Sequence, residues 1–284
     1  MRILVTGANG YLGRGICNEL STMGHEIIAT DMKIDGLPNE VEGIECDLFS
    51  VENPFEYFSK PDKIVHLAWR NGFSHNEYSH MNELNQHIKF LEKCISSGIS
   101  DIAVMGTMHE IGFFEGEVSE DTPCRPLNYY GIAKNALRDY LTILCNDKKV
   151  NLQWIRAFYI VDNSLYGSSV FSKISKAAKD GDITFPFNSG KNLYDFLDYK
   201  DFCNIVGKIV SQNRVNGIIN ACSGEPVRLS ERVCRFIDEN NYNLELEYGR
   251  YPDRVYDSKA IWGNTDKLKL IFGKHSKIDL YRLN

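Results

Sequence analysis

The segment NYYGIAK, residues 128 to 134, places Tyr130 four residues before Lys134. On a helix the two side chains share a face, one turn apart. A free tyrosine titrates near pH ~10, too high for a general base at neutral pH. An ammonium alongside, and a cationic nicotinamide, would favour the phenolate and lower that value. Positioned proton transfer of this kind is worth ~10²–10⁴ in rate. The same spacing also arises by chance on solvent-facing helices, so the pair needs a context. A third group is Thr107, at the end of the apolar run DIAVMGT. Its hydroxyl suits a substrate carbonyl or alkoxide, or simply a turn.

The context is a chain that alternates strand and helix. RILVT, HEIIATD, GIECDL, KIVHLAW, DIAVMGT and LQWIRAF read as strands; residues 79–98 and 129–146 read as helices between them. Apolar strands separated by helices imply a parallel sheet covered on both faces, with right-handed crossovers. After residue 158 the rhythm loosens into SSVFSKISKAAKDG, DYKDFCNIVGKIVSQ and LSERVCRFIDENN as helices, with NLYDFLD and GIINAC as strands. The expected organisation is a Rossmann-type doubly wound α/β domain over 1–158, to which 191–222 returns. A smaller discontinuous lobe for substrate comprises 159–190 and 223–284.

Between the first strand and first helix lies TGANGYLG, with Gly7, Gly10 and Gly13 three residues apart. A glycine turn alone is weak evidence. Here it opens a helix, whose free amides and dipole favour a pyrophosphate. The second strand ends in Asp31, 24 residues after Gly7. A carboxylate there accepts from both ribose hydroxyls of an adenosine and repels a 2′-phosphate, which favours NAD over NADP. Asp47, after the third strand, either reaches the adenine edge or caps the next element.

Composition excludes several classes. The chain has 284 residues, 43% hydrophobic and 25% charged, with a formal net charge of −6. That is a globular balance with no basic surface for nucleic acid or anionic membrane. No run is long enough to span a bilayer, and the N-terminus lacks a signal-peptide core, so a cytoplasmic protein is expected. Eight scattered cysteines without a CxxC pair read as small buried hydrophobes in a reducing compartment, and no metal site is expected.

Taken in order, TGANGYLG, Asp31, CDL, HLAW, GTMHEIG and YGIAK resemble the extended short-chain dehydrogenase/reductases of the NAD-dependent epimerase/dehydratase family. YDFLDYKDF and GIINACSGEPVRLSE extend the resemblance to about residue 270. The resemblance implies that Tyr130 is the acid/base, that Lys134 holds the nicotinamide ribose and tunes it, and that Thr107 replaces the usual serine. It implies a pyrophosphate lined by Gly7, Asn9, Gly10, Tyr11, Leu12 and Gly13, a ribose on Asp31, and adenine at Asp47 and Leu48. Leu67, Ala68 and Trp69 would lie along the cofactor. It also implies a nucleotide-sugar substrate and a homodimer built on the YxxxK helix.

Departures from the family pattern narrow the activity. The 4,6-dehydratases carry Asp–Glu after their threonine, where this chain has Met108 and His109. Met108 cannot donate a proton. The cysteine and histidine of the 3,5-epimerase/reductases have no counterpart, since no cysteine flanks Thr107 and no histidine lies between His109 and His275. Tyr159 stands at the family's asparagine and Tyr194 at its arginine. The run from GTMHEIG to YGIAKNALR most resembles reductases of dTDP-4-dehydro-6-deoxyglucose. The expected reaction is then reduction of a sugar 4-keto group by NADH, with the proton from Tyr130. His109 is either a substrate contact or a polar loop residue. Tyr159, Arg250 and Arg254 are the other substrate candidates, the arginines as forks for a diphosphate. A 4-epimerase retaining NAD would use the same residues. A redox-sensing module that binds the nucleotide without chemistry is disfavoured, because both Tyr130 and Lys134 are kept.

Overall fold

The computed structural model describes residues 1–38, 41–165, 167–253 and 257–273; Arg254 lies outside them. In chain order the elements are β1 (Arg2–Thr6), α1 (Tyr11–Thr22), β2 (Glu26–Asp31), β3 (Glu42–Glu45), α2 (Pro54–Tyr57), β4 (Lys63–His66), α3 (Ser79–Ser97) and β5 (Asp101–Thr107). There follow β6 (Gly116–Val118), α4 (Tyr129–Lys148), β7 (Asn151–Ala157), β8 (Tyr159–Val161), α5 (Val170–Asp180), β9 (Thr184–Pro186) and β10 (Leu193–Asp198). The last are α6 (Tyr199–Val210), β11 (Gly217–Ala221), β12 (Pro226–Arg228), α7 (Leu229–Glu239), β13 (Glu245–Glu247), β14 (Ala260–Gly263) and α8 (Asp266–Phe272).

Seven parallel strands form the central sheet in the order β11-β7-β5-β4-β1-β2-β3. Its inner strands are largely apolar on both faces because both are covered. Ile3 and Val5 of β1 join one core and Leu4 the other; Ala103 and Met105 of β5 oppose Ile102 and Val104 in the same way. Helices α1 and α6 pack together on one side, and α3 with α4 on the other. The chain reverses its winding direction between β1 and β4. Such a reversal opens a crevice beyond the carboxyl ends of those strands.

A second sheet, β12-β10-β14-β6 with β8 beside β10, forms the smaller lobe. Two expectations change here. Helix α6 and β11 return to the large domain, but the strand at 193–198, expected to return with them, stays in the small sheet. Conversely β6, from the first half of the chain, pairs with β14 near its end. A carboxylate holds β10 in the small sheet. Asp195 of β10 is fully buried and accepts from the Ser223 amide (2.7 Å) and hydroxyl (2.6 Å), the Gly224 amide (2.8 Å) and the Gly263 amide (3.1 Å). Burial pushes its pKa up and these donors pull it back. One side chain thus ties β10 to the turn after β11 and to β14.

Among the described residues no helix is long and apolar enough to cross a membrane, and no group of three or more His, Cys, Asp or Glu could hold a metal ion. Five of the eight cysteines are buried; Cys234 is exposed.

Candidate active site

Gly7 leaves β1 with φ +68°, and a Cβ there would stand 2.6 Å from the Ala68 amide. The turn therefore needs glycine both for its left-handed backbone and for its approach to the strand beside it. Helix α1 starts at Tyr11 with no side-chain cap and no acidic residue in its first turn. Its amides and dipole thus face the crevice, which fits a pyrophosphate. A cavity of about 2130 Å³ opens there, large enough for a dinucleotide and a second ligand, and Gly7, Gly10, Tyr11, Leu12 and Gly13 line it.

Asp31, Asp47, Leu48, Leu67, Ala68 and Trp69 line the same cavity. Asp31 accepts from the Asn9 amide (3.0 Å) and the Met32 amide (2.7 Å), so its carboxylate also fixes the turn. Asp47 lines the cavity and also acts as the expected cap, accepting from the Phe49 amide at 3.0 Å. Asn9 departs from expectation. It is absent from the cavity wall, because its side chain is spent on Asp35 (3.0 Å) and the Gly36 amide (3.2 Å). Asp31→Ala is expected to weaken NADH binding by roughly 10–100-fold, since bonds to a charged acceptor are lost. It should also narrow the preference over NADPH. A titration of NADH fluorescence measures both, and unchanged affinity would remove Asp31 from the site.

Thr107 ends β5, next to Ala157 of β7. It starts a short 3-10 turn, Met108–Glu110, with a capping box: its hydroxyl accepts from the His109 amide and its amide donates to Glu110 Oε1 at 2.8 Å. The first turn of α4 packs directly on this segment. A Cβ on Gly131 would stand 2.4 Å from the His109 carbonyl, so glycine is what lets the helix approach. Asn128 caps α4 through the Gly131 amide at 2.7 Å. Tyr130 and Lys134 then face Thr107, and all three line the cavity.

Two ionisations are set by burial. The Tyr130 phenol is pushed well above its ordinary value, first by burial and then by the Glu110 carboxylate; a hydrogen bond with Thr107 pulls the other way. The expected lowering by Lys134 is not found in the protein alone, where the opposing pull comes from Thr107 and burial prevails. Lys134 is itself lowered to about 7 by burial, against the pull of Glu110. Its Nζ donates to the Met105 carbonyl at 2.8 Å and lies 3.9 Å from the centre of the Trp69 ring.

Behind Thr107 lies a group that the reading of the sequence passed over. Glu110 is fully buried and accepts from Trp154 Nε1 (2.9 and 3.1 Å) and Arg138 Nη1 (3.2 Å), with Arg156 Nε at 3.6 Å. The capping-box spacing T-x-x-E in TMHE was the available signal. One histidine, His75, was also missed, beside the candidate His109. His75 stacks on Tyr130 at 5.3 Å, and His109 lies 4.1 Å from His75. Both line the cavity. Burial lowers both, His109 to about 3, so His109 meets a ligand as a neutral imidazole.

Of the two expected diphosphate forks, the described one, Arg250, is not where the substrate reading needed it. Arg250 is exposed, pairs with Glu247 at 3.0 Å three residues away, and does not line the cavity. Lys173 does line it, in the first turn of α5, where Ser169 caps the helix through the Ser172 amide. Its signal was the serine pair before an apolar-periodic run. Tyr159 and Tyr194 line the cavity 4.7 Å apart, forming with Phe171 and Phe196 an aromatic wall beyond β7.

Relatives agree with this architecture. The chain is 40% identical over 270 residues to the dTDP-6-deoxy-L-talose 4-dehydrogenase (NAD(+)) of Aggregatibacter actinomycetemcomitans, covering 93% of this chain and 99% of that one. Its fold matches the UDP-N-acetylglucosamine 4-epimerase of Methanobrevibacter ruminantium, solved with UDP-N-acetylmuramic acid, with a TM-score of 0.82 at 19% identity over 98% of this chain and 94% of that chain. It also matches the UDP-glucose 4-epimerase of Thermus thermophilus, solved with NAD, with a TM-score of 0.74 at 21% identity over 96% of this chain and 92% of that chain. With a family model matching residues 3–222, the chain belongs to the NAD dependent epimerase/dehydratase family.

Proposed function

We propose that the protein interconverts the 4-hydroxyl and 4-keto groups of a nucleotide-linked 6-deoxyhexose with NAD(H), and that in the reductive direction it takes a 4-dehydro-6-deoxyglucose on dTDP. The observation that carries this reading is the meeting of Thr107, Tyr130 and Lys134 in one cavity with the glycine turn. The 40% identity to a 4-dehydrogenase supports it, because oxidation and reduction at that carbon are one reaction run in two directions.

NAD, when bound, supplies or accepts the hydride at the sugar carbon. Tyr130 gives the alkoxide its proton in reduction and takes it back in oxidation. Its raised pKa keeps the phenol protonated at neutral pH, ready to donate. Thr107 holds the same oxygen, and its own bond to Tyr130 aligns the two. Lys134 places positive charge behind the phenol. Asp31 would hold the adenosine ribose, and the uncapped start of α1 the pyrophosphate. Lys173 and the first turn of α5 would take the substrate diphosphate. The aromatic wall suits the apolar methyl of a 6-deoxy sugar better than a carboxylate, which would lose its hydration there. Two copies would associate through α3 and α4, which leave Tyr78, Tyr129, Ile132 and Ile143 exposed.

A second reading, a 4-epimerase that retains NAD, draws on the same triad and on the fold shared with solved 4-epimerases. One experiment separates them. The purified protein is denatured and any released nicotinamide cofactor identified. The proposal expects a largely empty site that oxidises added NADH with dTDP-4-dehydro-6-deoxyglucose. Roughly stoichiometric NAD together with 4-epimerisation, and no net NADH consumption, would overturn it.

A further inference from the structure

We propose that Trp69 is a positioning residue for Lys134, its indole face holding the ammonium between the Met105 carbonyl and the Tyr130 phenol. The inference rests on Tyr130 being the acid/base. Lys134 is 1% exposed, yet among the described residues its ammonium donates to a single neutral carbonyl. An ammonium has three donors. The Trp69 ring, centred 3.9 Å from Nζ, supplies a second, diffuse source of negative potential. The Tyr130 ring is 6.0 Å from the same nitrogen and 6.2 Å from the Trp69 ring.

The indole is itself clamped. Its Nε1 donates to His80 Nδ1 at 3.0 Å, so His80 carries its hydrogen on Nε2 and donates that to the Ser74 carbonyl at 3.0 Å. Its other face stacks on His87 at 4.3 Å and 14°. His87 bonds His66 at 3.0 Å, and His66 meets the Thr6 hydroxyl at 2.9 Å. Burial keeps His66 and His87 far below their ordinary values, so no imidazolium competes with Lys134 across the ring. The other charge acting on Lys134 is Glu110, from the turn after β5, and its pull is outweighed by burial. On its own helix the neighbour is Tyr130, and Arg138 is already paired with Glu110 and Asp139.

Removing the indole face withdraws support from the charged form of Lys134 alone. The ammonium then loses its proton at lower pH, and with it goes the charge that favours the Tyr130 phenolate. For Trp69→Leu the high-pH limb of kcat for oxidation of the 4-hydroxyl, the direction in which Tyr130 accepts the proton, is expected about one pH unit below that of the wild type. Trp69→Phe keeps an aromatic face but loses the bond to His80, so its limb should stay near the wild type. A second readout needs no turnover. Trp69 emission, isolated by subtracting the Trp69→Phe spectrum, should titrate near neutral pH, and that step should vanish in Lys134→Met.

A limb unmoved in Trp69→Leu, or moved equally in Trp69→Phe, would overturn the inference, as would a fluorescence step that survives Lys134→Met. If Tyr130→Phe turned over normally, the acid/base reading would fail while the fluorescence step still tested the indole and ammonium. If Tyr130→Phe were inactive and the limb unmoved, only the present inference would fail.

Discussion

Tyr130→Phe is expected to lower kcat by ~10²–10⁴ while leaving NADH affinity within a few-fold of the wild type. The phenol oxygen is the only atom removed. Its hydrogen-bond partner is Thr107, and the ring stacks on His75 at 5.3 Å, which phenylalanine also does. The helix start is independent of the hydroxyl, since the Tyr130 amide donates to the His75 carbonyl at 2.9 Å. The site should therefore keep its shape and lose its proton donor. Steady-state kinetics with the 4-keto sugar nucleotide, beside an NADH titration, separates these effects. Near-normal turnover would mean that another group moves the proton.

Glu110→Gln should cost about 3–5 kcal/mol of stability, because it leaves buried cations without their carboxylate. Arg138 Nη1 and Arg156 Nε both point at Glu110 Oε2, and Arg156 is fully buried. In a chain of this size the midpoint of thermal unfolding falls by roughly 6–20 °C. Turnover should fall too, since the Thr107 amide donates to Glu110 Oε1 at 2.8 Å and a weakened anchor loosens the hydroxyl. Thermal denaturation without ligands is the measurement. A midpoint within about 2 °C of the wild type would show that the cluster does not need the charge.

The parallel sheet was legible because its inner strands are largely apolar on both faces, and the helices because their apolar residues recur at helical spacing. The cofactor cavity was legible for the same local reason: Gly7, Asp31 and Tyr130 each sit at or beside an element boundary that pattern alone locates. What escaped was long-range. Arg250 looked like a fork beside the substrate, but Glu247, three residues away, already holds it. Asn9 looked like part of the pyrophosphate loop until Asp35, 26 residues on, claimed its side chain. The histidines around Tyr130 come from α3, the loop before it and the turn after β5, and no local spacing joins them. The small sheet was misdivided because β6 and β14 meet across the length of the chain.

That last pairing has a kinetic meaning. Strand β6 meets its partner only when Ile261–Gly263 has been made, some 145 residues later. At ribosomal rates of about 5–20 residues per second, this is a delay on the order of ten seconds. During it, the large domain already has most of its sheet, while β6 waits as an unpaired edge open to mispairing. Asp195 likewise waits for the Gly263 amide before its last donor arrives. The small sheet, which carries part of the aromatic wall, is thus completed after the large one. A chain shortened before β14 is expected to keep its dinucleotide crevice and lose the strand that joins β10 to β6.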